Sequence, residues 1–119
     1  MAISIAELIE KKEAIEAAKK AQYDVETSAG VMTCKLPSRT LVMESLNLDD
    51  ADSYIVVNCV VEPDLKDAKL LKAFGCMEPT DLPDKLFEPG EVAAISVKLM
   101  SLAGFRKNIR ADIHETVKN

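Results

Sequence analysis

From Glu62 to Phe105 the chain is cut at short intervals by proline or glycine: Glu-Pro-Asp-Leu-Lys-Asp, Phe-Gly-Cys-Met-Glu-Pro-Thr-Asp, Phe-Glu-Pro-Gly-Glu and Ser-Leu-Ala-Gly-Phe. Each cut separates two apolar runs, so the segment predicts short helices with hard stops and excludes one long helix. Asp64 or Asp67 can cap a helix carrying Leu65, Ala68, Leu71 and Phe74, which Gly75 ends. Thr80 can cap the next one, with Pro83 in its first turn. The run Glu91 to Ala103 is apolar on nearly every side, which places it at the centre of the domain. Gly104 closes it, and Phe105, Ile109, Ile113 and Val117 then define one stripe of a last helix.

The first half reads differently. Ser4 and Glu7 have capping-box spacing, and the Ala, Glu and Lys that follow predict a helix over 4–22. Ile5, Leu8 and Ile9 share a face, Lys12 and Glu16 interrupt it and Ile15 partly restores it, which describes a helix that packs at one end and can project at the other. Between Tyr23 and Leu36 the period falls to two, and Ser28-Ala29-Gly30 makes this a β-hairpin over 23–36 whose edges are open to assembly. Pro37 ends it and Ser38 caps a helix through Leu41, Val42 and Leu46. The β-branched run Tyr54 to Val61 suits a strand by propensity and a buried helix by its flanking aspartates and Pro63; helix is the expectation here. The fold class is therefore mainly α, a compact single domain over 1–119 of about six helices with one small hairpin, its helical core spanning 38–118.

A chain of 119 residues can bury roughly two-thirds of its unfolded surface without a metal or disulfide. With three Phe, two Tyr and no Trp, the core must be aliphatic. Fifteen basic against twenty acidic residues give a net charge of −5, which repels a phosphate backbone and argues against nucleic acid. The odd cysteines Cys34, Cys59 and Cys76 match neither a disulfide framework nor a zinc site, and are expected to be reduced, mostly buried thiols. The N-terminal residues lack the pattern of a signal peptide, and the apolar run Val92 to Ala103 is too short to span a bilayer.

Catalytic patterns are lacking. His114 is the single histidine, on the polar side of the expected last helix, so nucleophilic triads have nothing to build on. Counting from Asp49, the sixth residue is Tyr54 and the twelfth Val60, unlike a calcium loop. The glycines are too dispersed to cradle a phosphate. No catalytic, cofactor or metal site is expected, and no enzymatic activity.

The order of Tyr54 to Val61, Glu62-Pro63-Asp64-Leu65-Lys66-Asp67, Phe74-Gly75-Cys76-Met77-Glu78-Pro79, Phe87-Glu88-Pro89-Gly90-Glu91 and Leu102-Ala103-Gly104-Phe105 resembles the XkdN-like tail assembly chaperones of long-tailed bacteriophages and prophages. The hairpin and Lys35-Leu36-Pro37-Ser38-Arg39 look like that family too, so the likeness covers about residues 23 to 105. The resemblance implies a non-enzymatic protein that binds the helical tape measure protein and helps tail tube subunits assemble around it in the host cytoplasm. It implies absence from the finished tail, and in many members a longer, frameshifted second form. Ile5, Leu8 and Ile9, with Phe105, Ile109 and Ile113, are the candidate contact residues, although ordinary packing against the domain core is the favoured reading of both stripes. Self-association stays open, and the rival reading is a tail or capsid accessory protein retained in the virion.

Overall fold

The computed structural model describes residues 1–105 and 107–114. Along them run α1 (Ile5–Glu10), α2 (Lys12–Lys20), β1 (Gln22–Thr27), β2 (Gly30–Lys35), α3 (Arg39–Ser45), α4 (Ala51–Cys59), β3 (Val60–Glu62), α5 (Ala68–Ala73), a 3₁₀ turn (Pro79–Asp81), α6 (Pro83–Leu86) and α7 (Pro89–Leu102). Helices predominate, but the chain is mixed α/β rather than a helical domain with one hairpin: among the described residues, seven α-helices accompany a three-stranded antiparallel sheet in the order β1-β2-β3.

The core forms where α4 crosses α7. Ile55, Val56, Val57 and Cys59 of α4 meet Val92, Ile95 and Leu99 of α7, with Leu65, Leu82 and Phe87 closing the ends. Both helices are apolar on most sides, and the shorter elements supply cover. Ser96 lies in the same layer, fully buried.

The third strand corrects the reading of Tyr54 to Val61. The helix holds to Cys59, after which Val60 turns extended and pairs with Cys34, and Glu62 pairs with Thr33 across a bulge. The β-branched run divides because its end reaches the open edge of β2, and a lone two-stranded hairpin is marginal in water. The hairpin itself turns through Ser28 and Ala29, with Gly30 already paired to Thr27. Its tip is fastened to α7: the Ser28 amide and hydroxyl donate to the two Glu91 carboxylate oxygens at 2.8 and 2.5 Å.

Caps fall where the residue types direct. Ser4 and Glu7 form the capping box, the Ser38 hydroxyl accepts from the Leu41 amide at 3.1 Å, and Asp67 accepts from the Leu70 amide at 3.0 Å. Thr80 is not a cap; Asp81 instead accepts from the Glu78 amide at 3.2 Å, and Pro83 opens α6. Asp50 stands at the start of α4 without a side-chain cap bond. Gly104 takes φ +90°, the Phe105 amide donates to the Met100 carbonyl, and α7 ends in a Schellman turn.

The helix expected to start at Phe105 is overturned. Residues 107–114 have no regular secondary structure, while Arg106 and Val117 lie outside the described residues. The stripe was periodic, but an isolated helix of about a dozen residues is marginal without an apolar neighbour. Ile109 and Ile113 have none, being 70% and 93% exposed.

Candidate functional site

Residues Met1 to Lys20 are all exposed. That is the most unusual property of the molecule, because α1 and α2 carry four large aliphatic side chains and bury none. Ile5 is 78% exposed, Leu8 47%, Ile9 68% and Ile15 42%. Only Lys11 separates the two helices. Its amide donates to the Glu7 carbonyl and its carbonyl accepts from the Ile15 amide, so the pair forms one arm with a slight break where a single helix was expected.

Ile5, Leu8, Ile9, Lys12, Ile15, Glu16 and Lys19 line one shallow concavity along this arm, in keeping with their three- and four-residue spacing. At the body end, Lys19 lines a second hollow with Leu36, Pro37, Ser38, Arg39, Ala103 and Phe105. The two surfaces share Lys19 and adjoin there. The radius of gyration, 18.9 Å, exceeds the about 13.5 Å of a compact chain of this length. An elongated molecule, not the compact one expected, is what results.

The six candidate contact residues therefore separate. Ile5, Leu8 and Ile9 lie together on the arm, joined by Ile15. Phe105 is half-buried against the core and forms a wall of the hollow at the arm's base. Ile109 and Ile113 share no helical face with it. Leu36, Pro37 and Arg39 were not singled out as contacts, since their placement beside Lys19 depends on the tertiary fold alone.

Among the described residues, the resolved shifts of the cysteines run away from the thiolate. Burial, and then the neighbouring Cys34, push the Cys59 thiol up to about 11, and burial also raises Cys34. A hydrogen bond to the Glu44 carboxylate at 2.7 Å raises the Tyr54 phenol. Both Ser28 donors stabilise the ionised form of Glu91 and lower its carboxyl. His114 is exposed on the irregular segment after α7. Among the described residues no group of His, Cys, Asp and Glu could hold a metal ion, and no helix is long and apolar enough to cross a membrane.

The arm is thus an uncovered helical surface attached to the body. The chain matches the model of the phage XkdN-like tail assembly chaperone protein over residues 6–118, and it belongs to that family. The match takes in most of the arm as well as the body. No curated protein and no solved structure matches the chain.

Proposed function

We propose that this protein is the assembly chaperone that binds the tape measure protein through its N-terminal arm, keeps it soluble, and supports assembly of tail tube subunits around it. The observation that carries this reading is the exposed stripe Ile5, Leu8, Ile9 and Ile15 on a helix with no covering element. A helical client offers a matching amphipathic face, and covering an aliphatic side chain fully is worth roughly 1.5–3 kcal/mol. The work is done by binding, in the host cytoplasm during assembly, and the protein leaves before the tail is finished.

The test is co-expression with the tape measure protein of the same phage, scoring how much of it stays soluble and co-purifies. A soluble complex with the wild-type chain, lost in Ile9→Gln/Ile15→Gln, is the expected result. An insoluble client with no co-purification contradicts it. Mass spectrometry of purified particles separates the rival: a stoichiometric signal from this chain would make it a resident tail or capsid accessory protein.

A further inference from the structure

The surface that runs from Ile5 to Phe105 has a charge opposite to that of the whole molecule. Its lining carries Lys12, Lys19 and Arg39 against the single carboxylate of Glu16, in a chain of net charge −5. Lys12 sits in the middle of the apolar stripe, and Lys19 joins the stripe to the hollow floored by Leu36, Pro37 and Phe105. Lysines at such positions cost affinity against an all-apolar face and set which partner fits.

A second copy of this chain fits poorly when the two stripes overlap over their full length. Parallel pairing of two arms in register sets Lys12 on Lys12 and Lys19 on Lys19. Antiparallel pairing that places Ile5 opposite Lys19 is centred on residue 12 and again brings Lys12 against its own copy. Both arrangements oppose like charges along an apolar seam. A helix supplying carboxylates at those places relieves the repulsion and gains charge-assisted hydrogen bonds instead.

Building on the proposed client role, we infer that the occupant is an acidic-flanked amphipathic helix of the client, about four turns long, lying along Ile5 to Lys19 with one end in the Leu36–Pro37–Phe105 hollow and its carboxylates on Lys12, Lys19 and Arg39. The length follows from the about 21 Å between the first and last stripe positions of a helix. Specificity then comes from charge placement, and affinity from the isoleucines and leucine.

The test uses the full chain, a triple variant Lys12→Glu/Lys19→Glu/Arg39→Glu, and two synthetic helical peptides with the same leucine stripe, one flanked by Glu and one by Lys. All three substituted residues are exposed, so far-ultraviolet circular dichroism of the variant should match wild type. The wild-type chain should bind the Glu-flanked peptide at least tenfold more tightly than the Lys-flanked one, the preference should invert in the variant, and both should weaken in high salt. Equal binding of the two peptides, or a preference that the variant leaves unchanged, overturns the inference. So does a wild-type dimer that Ile9→Gln/Ile15→Gln dissociates, since the stripe would then belong to a second copy. Recovery of as much co-expressed tape measure protein by the triple variant as by wild type overturns the charge assignment and leaves the client role standing. No recovery by wild type overturns both.

Discussion

Glu91 holds the hairpin tip to the first turn of α7 through two donors of Ser28, and both act on its charged form. A carboxyl lowered in the folded state contributes stability above its ordinary value near 4.5, and that contribution is lost as the pH falls through the lowered value. Glu91→Gln should therefore melt below wild type at pH 7, with the gap closing as the pH falls below about 4.5 and through the lowered value; a gap independent of pH would contradict the assignment. Ser96 presents the reverse case. Its fully buried hydroxyl has no hydrogen-bond partner among the described residues, so Ser96→Ala should raise stability by about 1 kcal/mol in urea unfolding, and a loss would show an unrecognised bond. Thiol labelling by a maleimide at pH 7.5 should modify Cys76, which is half-buried, well ahead of Cys34 and Cys59, whose thiols are buried and shifted away from the thiolate. Residue-level signals of this local kind were also the most legible in the sequence. Ser4 with Glu7, Ser38, Asp67, Gly75 and Gly104 act within a turn of their own position, so the partner is fixed by spacing. Thr80 failed because it lies inside the 3₁₀ turn Pro79–Asp81, which starts at Glu78, and Asp81 holds the Glu78 amide.

At the scale of elements, α4 and α7 carry the stability and the arm carries almost none. Truncating Ile55 or Leu99 to alanine should cost about 2–5 kcal/mol, whereas Ile9→Gln should change stability by less than about 0.5 kcal/mol. Comparable losses at all three positions would mean that the arm is packed in solution. Apolarity on all sides made α7 readable as the central helix, because no other site accepts such a helix. The end of α4 was not readable in the same way. Val60 and Val61 suit either conformation, and the choice was made by the vacant edge of β2, a tertiary fact. The stripe Phe105, Ile109 and Ile113 shows the converse failure: periodicity stated which side chains would share a face, but a face without a neighbour cannot hold a short helix.

At the scale of the whole molecule, a body built on α4 and α7 carries an uncovered arm, and the client binding proposed above would give that asymmetry a use. Ile5, Leu8 and Ile9 were legible as a stripe from their spacing, while its exposure and its continuation past Lys19 to Phe105 were not, because both depend on what the remainder of the chain leaves uncovered. The most direct test is paired co-expression of the tape measure protein with wild type and with Ile9→Gln/Ile15→Gln, after confirming that the two forms melt alike. The proposed arm function predicts a soluble co-purified complex with wild type and its loss in the double variant. Undiminished recovery by the double variant would contradict it and place client binding elsewhere on the body.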